Sequence, residues 1–562
     1  MTSPIVTIDE GKLKGKISQN YCGGTFCSFL GIPYGQPPVG ELRFKAPIPV
    51  EPWNDVRDAT EEGPECPSKH MFFTYLIGAE DNCLNLNVYT KELPQENASS
   101  PKPVMVWIHG GAYLYGSNKS ELFGPDYLMT EDIVLVCINY RLGVLGFLSL
   151  EDPSLGVPGN AGLKDMILAL KWVQRNIKHF NGDPNNVTIF GESAGAASVH
   201  YLYLSPLSKG LFHKAIIQSG SALSLWASGC NNGKIIANSL GYKEKEEKKI
   251  LDYLRNQSES KLVKAQHKSL DLFTADLVRP FGPVVEKPGE GAFLTEEPLD
   301  ILKSGKFSHV PLIIGYTSKE GIFFEAVRKI LPGVKLISDF ETEVPHDLKL
   351  EKGSQKSKEV ASKIQKFYFG EEKPSEKNMD NTHLLKTDTQ FLHGIYRSIQ
   401  YQKLHSTAPI YFYRMSLDTS LNYYKNVCTT KSLPLLFLCY FLSYKSGKKC
   451  FLTLSKSLPS NSPTGVCHAD DLGYLFPSFL SQTLEPGSLE ETSVRRFVKL
   501  WTNFAKTGEP TPGNPDPLLN NVQWKPVNKE DNHFLDIGSE LKVDSNPEQD
   551  RMQFWESIYS PS

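Results

Sequence analysis

The sequence predicts an α/β fold in which a large, mostly parallel sheet carries helices on both faces and long insertions. Short apolar runs rich in β-branched residues recur along the chain, and each ends in glycine or a polar residue. Stretches with helical spacing of apolar residues lie between these runs. Strands of a parallel sheet are buried on both faces and therefore read as continuous apolar runs. Because no Pro/Gly/Ser linker divides the chain, we predict one domain over residues 1–562.

The first predicted strands are PVMVWIHGG, residues 103–111, and DIVLVCINYR, residues 132–141. A predicted helix follows in NAGLKDMILALKWVQRNIKHF, residues 160–180, where the apolar residues recur at helical spacing and Asn160 is a candidate N-cap. The stretch PNNVTIFGESAGAASVHYLYL, residues 184–204, is interpreted as strand, tight turn and helix.

Three further strands are predicted in the second half of the chain. They are FHKAIIQSG, residues 212–220, VPLIIGYTSKEG, residues 310–321, and PIYFYRMSL, residues 409–417. The first two run into polar loops. Strands that alternate with helices over this length imply parallel pairing with crossover connections.

Composition excludes several classes of function. The 562 residues include 60 basic and 63 acidic side chains, a net charge of −3 that does not indicate binding to nucleic acid. No stretch reaches the ~18–20 apolar residues of a membrane span. The first residues lack the basic and apolar regions of a secretory signal, so we expect a cytoplasmic protein. Ten scattered cysteines show no zinc-like spacing, and no metal or cofactor is expected.

The pentapeptide GESAG, residues 191–195, lies between a predicted strand and a predicted helix. Glycines on both sides of a serine allow a turn too sharp for larger residues. Such a turn exposes the serine as a nucleophile, and the helix that follows directs its first N–H groups at a developing oxyanion. We therefore predict Ser193 as a nucleophile, against the alternative of a glycine-rich packing turn.

An oxyanion hole is predicted in HGGAY, residues 109–113, which follows an apolar strand. Successive glycines let two backbone N–H groups point at one oxygen atom. Gly110 and Gly111 are predicted to supply these groups, and the N–H of Ala194 is the third donor.

A nucleophilic serine needs a base, and the base needs an acid that orients it. Glu320 lies just past an apolar strand and before a glycine, where a carboxylate can project from the end of the strand. Composition alone leaves Asp165 and Asp388 as alternatives for the acid. His468, in GVCHADDLGYLF, is the candidate base, and the chain order serine, acid, histidine fits this kind of fold.

These residues resemble the carboxylesterase/cholinesterase family of α/β-hydrolases almost from end to end. The similar stretches include FLGIPYGQPPVGELRFKAP, EDNCLNLNVYT, NYRLGVLGFL and VTIFGESAGAASV. Within that family, the sequences HGGAYLYGS and GVCHADDLGYLF look most like those of intracellular insect carboxylesterases. The resemblance implies an α/β-hydrolase fold, and it implies the same triad of Ser193, Glu320 and His468 with the same three oxyanion donors.

The resemblance implies a serine carboxylesterase that forms an acyl-enzyme and needs no metal or cofactor. Its partners are expected to be small-molecule xenobiotic or lipid-like esters, with organophosphates as covalent inhibitors, and neither nucleic acid nor a membrane span is expected. By resemblance, Trp226 in QSGSALSLWA walls the acyl pocket, although a tryptophan there can also be a plain core residue. The alternatives are slow-turnover sequestration and a catalytically impaired binding or adhesion protein on the same fold.

Two features stay open at this level. In secreted members of the family the cysteines that match Cys66 and Cys83 form a disulfide, but a reducing cytoplasm disfavours that bond. The segment 429–463 contains the apolar run LPLLFLCYFL and is longer than the family usually has at this place. It is interpreted as an extra surface segment, as a membrane-touching element, or as sequence wrongly kept in the chain.

Overall fold

A computed structural model provides the fold. It describes residues 3–69, 76–79, 82–95, 100–269, 274–330, 336–429, 463–513 and 515–560. The segment 429–463 falls outside these ranges except for its first and last residues, so its three interpretations stay open.

The described strands are β1 Ile5–Ile8, β2 Gly11–Lys14, β3 Lys16–Gln19, β4 Thr25–Pro33, β5 Val56–Asp58, β6 Ser68–Lys69, β7 Leu76–Ile77, β8 Asn85–Thr90, β9 Lys102–Ile108, β10 Val134–Ile138, β11 Gly182–Glu192, β12 Lys214–Gln218, β13 Leu312–Thr317, β14 Ile410–Met415, β15 His533–Ile537 and β16 Leu541–Ser545.

The described helices are α1 Gly143–Phe147, α2 Ala161–Asn176, α3 Ala194–Leu204, α4 Gly233–Ser239, α5 Glu247–Arg255, α6 Glu259–Gln266, α7 Pro298–Ser304, α8 Ile322–Ile330, α9 Gln355–Phe369, α10 Met379–Thr387, α11 His393–His405, α12 Tyr423–Thr429, α13 Leu489–Thr507 and α14 Gln549–Tyr559. Short 3-10 turns join several of them, and a π-helical turn, Asp388–Leu392, connects α10 to α11.

The central sheet has 11 strands in the order β16-β15-β14-β13-β12-β11-β9-β10-β8-β4-β3. The seven consecutive strands from β15 to β10 pair in parallel. Antiparallel pairs lie at both edges, β15 with β16 on one side and β10, β8, β4 and β3 on the other. The predicted α/β fold with a mostly parallel sheet is confirmed.

Strand β9 shows how the sheet separates two cores. Val104 and Val106 face one apolar cluster, which also receives residues of α2 and α3. Met105 and Trp107 face the other cluster, which receives residues of α13. Successive side chains of a strand point to opposite faces, so a run without polar residues requires packing on both sides. Helices therefore cover both faces of the sheet.

The predicted strands correspond to β9, β10, β11, β12, β13 and β14, and the predicted helices to α2 and α3. Asn160 does not cap helix α2 in the way that the sequence predicted. Asn160 occupies the N-cap position of α2, but its side chain makes no capping bond. Its amide donates instead to Val284 O and to Glu286 Oε1, at 2.7 and 2.8 Å, so it ties the start of α2 to a distant loop.

Cys66 and Cys83 form a disulfide in the structure, with their Cα atoms 4.8 Å apart. The bond differs from what we expected for a reducing compartment, because disulfides persist mainly in oxidising ones. The cytoplasmic location therefore stays a prediction. Within the described ranges, no helix is both long and apolar enough to cross a membrane.

Candidate active site

Ser193 lies between the last residue of β11 and the first residue of α3. Its backbone has φ 57° and ψ −123°, a conformation that non-glycine residues rarely adopt. A Cβ atom on Gly191 would lie 2.6 Å from the backbone of Gly195, and one on Gly195 would overlap the carbonyl oxygen of Ile108. The strand and the helix thus approach too closely for any side chain, and Ser193 stays partly exposed among buried neighbours.

His468 contacts both predicted partners. Its Nε2 atom lies 2.8 Å from Ser193 Oγ, and its Nδ1 atom lies 2.6 Å from Glu320 Oε2. An ionised carboxylate only accepts hydrogen bonds, so Nδ1 carries the proton in its contact with Glu320. Nε2 is then left to accept a hydrogen bond from the serine hydroxyl.

Glu320 follows β13 in a tight turn and is fully buried. Its other oxygen, Oε1, accepts a hydrogen bond from the N–H of Thr317 at 2.8 Å, which fixes the carboxylate against the end of the strand. The next residue is Gly321, where a Cβ atom would overlap the carbonyl oxygen of His383. The glycine anticipated from the sequence is therefore required for close packing against α10.

Two other acidic residues were alternatives for the acid. Asp165 accepts hydrogen bonds from Arg141 Nε and Nη2 at 2.8 and 2.6 Å, deep in the core. Asp388 accepts a hydrogen bond from the hydroxyl of Tyr368 at 2.5 Å and lies 3.0 Å from Arg551 Nη1. Both carboxylates are thus engaged by other partners, whereas Glu320 is the one held against His468.

Carboxylates surround the imidazole of His468. Burial lowers its pKa, but the negative charges of Glu192 and Glu320 raise it, and the net shift is upward from the usual 6.5. Glu192 Oε1 lies 3.1 Å from His468 Nε2, an ion-pair distance without hydrogen-bond alignment. Burial in turn raises the pKa of Glu192. When both carboxyl groups are ionised, Glu192 at the end of β11 and Glu320 after β13 stabilise the charged imidazolium.

The loop after β9 reaches the nucleophile. A Cβ atom on Gly110 would lie 3.1 Å from Ser193 Cβ, so this glycine permits direct approach of the two segments. Gly111 has φ 111°, in the region that favours glycine. No backbone carbonyl in the described part of the chain accepts a hydrogen bond from the N–H of Gly110 or Gly111. Ala194 is the first residue of α3, where the helix leaves its N–H without an internal acceptor.

Trp226 lies beside the nucleophile but is also well buried, with 4% of its surface exposed. A Cβ atom on Gly220 would lie 2.5 Å from Ser193 O and 3.1 Å from Trp226 Cη2. Gly220 therefore packs against both the indole ring and the backbone of Ser193. Its Nε1 atom donates a hydrogen bond to Gln390 O at 2.6 Å. Pocket wall and core residue therefore remain two compatible descriptions of this side chain.

The sequence interpretation missed two neighbours of His468. The ring of Phe391 lies 4.4 Å from the imidazole, between centroids, and the ring of Phe323 lies 5.5 Å from it at a steep angle. Phe323 is close to Glu320 in the sequence, and its apolar character was a usable signal. Phe391 comes from the π-helical turn, which no local pattern indicates. Among the described residues, no group of three His, Cys, Asp or Glu side chains is arranged to hold a metal ion.

Comparisons with known proteins agree with one another. The family model described as Carboxylesterase family matches residues 2–555. Esterase B1 of Culex pipiens is 34% identical over 575 residues, which cover 100% of this chain and 98% of that protein. Juvenile hormone esterase of Tribolium castaneum is 35% identical over 548 residues, 94% of this chain and 86% of that one. These two identities do not place the chain nearer to either kind of esterase.

The comparison of structures gives the same result. Juvenile hormone esterase from Manduca sexta, solved with OTFP covalently attached, matches with a TM-score of 0.82 and 29% sequence identity. The match covers 99% of both chains.

Proposed function

The chain belongs to the carboxylesterase family of carboxylic ester hydrolases, and from that premise we propose that it hydrolyses esters through an acyl-enzyme on Ser193. The observation that carries the proposal is the continuous set of contacts Ser193 Oγ, His468 Nε2, His468 Nδ1 and Glu320 Oε2, at 2.8 and 2.6 Å. A nucleophile, a base within hydrogen-bond reach and an acid that orients the base are the arrangement needed for acyl transfer.

In the first step, Ser193 Oγ attacks the ester carbonyl carbon while its proton passes to His468 Nε2. Glu320 holds the imidazole by Nδ1 and stabilises the positive charge that develops on it. The carbonyl oxygen becomes negative and receives hydrogen bonds from the N–H groups of Gly110, Gly111 and Ala194. The alcohol then leaves with the proton from His468, and an acyl group remains on Ser193.

In the second step, water attacks the acyl group and His468 accepts a proton from it. The tetrahedral intermediate uses the same three N–H donors, and its collapse returns the proton to Ser193 Oγ and releases the acid. The balance is one ester and one water to one acid and one alcohol, without any other reactant.

The side chains around His468 favour apolar substrates. Trp226, Phe323 and Phe391 line the surroundings of the triad with aromatic rings. We propose that small to medium xenobiotic and lipid-like esters are accepted, because an apolar lining binds them by burying apolar surface.

Organophosphates are proposed to react at the same serine. Ser193 Oγ attacks the phosphorus, which takes the place of the carbonyl carbon, while His468 accepts the serine proton and the bond from phosphorus to its leaving group breaks. The phosphyl group stays on Ser193 when water is not activated against it. The covalent attachment of OTFP in the related esterase is the precedent for a stable adduct in this fold. Sequestration differs from turnover only in the rate of the second step.

The test is a pre-steady-state assay with a chromogenic ester such as p-nitrophenyl butyrate. We expect a burst of p-nitrophenol that matches the enzyme concentration, followed by steady turnover; a burst without turnover indicates sequestration. Ser193→Ala should lose the burst and about 10⁴-fold or more in kcat. Ser219 is a matched control, since it also follows a strand with φ 57° and its buried hydroxyl makes no hydrogen bond within the described part of the chain. Ser219→Ala should keep the burst, and a burst in Ser193→Ala would refute the proposal.

A further inference from the structure

One continuous helical segment packs against the residues of the candidate active site. It consists of α10, the π-helical turn Asp388–Leu392, and α11, without a break in the backbone. All five residues of the π turn are buried. A π turn adds one residue to a helix at a cost in hydrogen-bond geometry, and such turns are frequent at functional sites. The turn shifts the side chains after it relative to those before it.

The end of α10 supports the turn that carries the acid. Thr387 Oγ1 accepts a hydrogen bond from the N–H of Gly321 at 3.0 Å, and it donates to His383 O at 2.7 Å. Gly321 directly follows Glu320 in the sequence. Displacement of this end of α10 would therefore move the carboxylate of Glu320, which orients His468.

The π turn itself touches the other two parts of the site. Gln390 O accepts the indole hydrogen bond of Trp226 at 2.6 Å. The Phe391 ring lies 4.4 Å from the His468 ring and 5.8 Å from the Trp226 ring, between centroids. These two adjacent residues thus contact both the candidate base and the candidate wall of the acyl pocket.

Asp388 stands between Thr387 and this pair, and its carboxylate is fixed from the opposite side. The hydroxyl of Tyr368, on α9, donates to Oδ2 at 2.5 Å. Arg551 Nη1, on α14, lies 3.0 Å from Oδ1 as an ion pair without hydrogen-bond alignment. The side chain of Asp388 is fully buried, and that of Arg551 is 13% exposed.

Each anchor is itself held in place. Tyr368 OH accepts a hydrogen bond from Trp555 Nε1 at 2.7 Å, and Arg551 Nη2 lies 2.8 Å from Glu548 Oε2. Helix α14 therefore carries both Arg551 and Trp555 and fixes the distance between them. A packed network of this kind transmits a small displacement, because side chains in a dense interior cannot absorb it locally.

We propose that Asp388 is a positioning residue for the esterase reaction. Held by Tyr368 and Arg551, it fixes the π turn so that Gln390 keeps Trp226 in place and Phe391 keeps the His468 ring in its productive orientation. It thereby limits the length of the acyl chain and supports kcat. The inference rests on the proposed function, because it needs His468 to act as the base.

A purely structural ion pair makes a different prediction. A buried ion pair is weak evidence for a functional role, since loss of either partner destabilises any fold by leaving a buried charge. Loss of stability changes the amount of folded enzyme but leaves the properties of each folded molecule unchanged. Loss of positioning changes the selectivity and kcat of every folded molecule.

The test measures kcat and KM for p-nitrophenyl acetate and butyrate in Asp388→Asn and in Tyr368→Phe, with active sites counted by organophosphate titration. We expect the butyrate-to-acetate ratio of kcat/KM to rise about fivefold, because a released Trp226 admits the longer chain. We expect kcat for acetate to fall about tenfold with KM nearly unchanged. Tyr368→Phe removes one oxygen atom and keeps the ion pair, so it carries the test if Asp388→Asn yields no soluble enzyme.

Arg397→Met is the matched control. Arg397, on α11, pairs with Asp347 at 2.9 Å outside the π turn, and the side chains of the two residues are 11% and 32% exposed. It should keep the selectivity ratio of the unchanged protein. Titrated Asp388→Asn or Tyr368→Phe enzyme with an unchanged ratio and kcat would overturn the inference, as would the same change in Arg397→Met. Failure of the unchanged protein to titrate would instead refute the proposed function.

Discussion

Glu192 occupies the second position of the GESAG turn, and its carboxylate faces the imidazole of His468 at 3.1 Å. A negative charge at this distance stabilises the protonated imidazole and so raises the pKa of His468. The base works only when it is neutral. Activity should therefore increase with pH through that raised pKa, above the 6.5 of an unperturbed histidine.

Glu192→Gln tests this charge effect. Removal of the carboxylate removes a force that favours the imidazolium, so the pKa of His468 should fall. The acid limb of the plot of kcat/KM against pH should move to lower pH, with the plateau retained within about tenfold. Asp132→Asn, at an exposed ion pair with Lys102, should leave the limb in place. The account is contradicted if the acid limb of Glu192→Gln stays at the same pH as in the unchanged protein or moves to higher pH.

Trp226→Leu separates the two descriptions of the indole ring. The change removes bulk and the hydrogen bond to Gln390 O but stays apolar. If Trp226 walls the pocket, branched or longer acyl esters should gain over acetate esters in kcat/KM, by about 1–3 kcal/mol for each methylene admitted. A core role predicts instead that both esters decline together and that Tm falls, since loss of a buried tryptophan costs about 3–5 kcal/mol.

Residue types and chain order made Ser193, Glu320 and His468 candidates but left other acids open, and the family resemblance singled out the three residues that lie in contact. The contacts of Glu192 and Phe391 with His468 were not predictable in the same way. Glu192 is adjacent to the serine, yet the direction of its side chain depends on the strained turn. Phe391 contacts the imidazole from within a π turn, and π turns have no reliable sequence pattern.

The strand–turn–helix element from β11 to α3 depends on two glycines. Gly195 packs against the end of β9, where a Cβ atom would overlap Ile108 O, and backbone atoms cannot move aside as a flexible side chain can. This close approach brings the serine turn next to the loop of Gly110.

Gly195→Ala should therefore destabilise the protein by about 3 kcal/mol or more, and lower both soluble yield and Tm. Gly289 is exposed and a Cβ atom there would meet nothing within 4 Å, so Gly289→Ala is the matched control and should be neutral. Normal Tm and activity in Gly195→Ala would mean that the turn tolerates a side chain and that the close packing is not required.

Strands differ in how well the sequence indicates them. The central strands β9 to β14 are buried on both faces and were predicted from their apolar runs. Strand β3 is KISQ with no buried residue, and β16 is LKVDS with only its first residue buried. Such edge strands lack a continuous run, and their pairing depends on the neighbours that the fold brings to them.

Across the whole molecule, the sheet joins parts of the chain that are far apart in sequence. Ser193 and His468 are separated by 275 positions, and Glu320 and His468 by 148. The carboxyl ends of parallel strands meet at one edge of a sheet, and residues from β9, β11 and β13 therefore converge there. The central claim is that the fold brings Glu320 and His468 to Ser193 and so makes this serine reactive.

Covalent labelling tests that claim most directly. The protein is incubated with an organophosphate, and the adduct is located by mass spectrometry of its peptides, with Ser193→Ala and His468→Ala in parallel. The account predicts one phosphyl group per chain on Ser193, none on Ser193→Ala, and labelling slowed by several orders of magnitude in His468→Ala. An adduct on another residue, or unchanged labelling of Ser193→Ala, would contradict it.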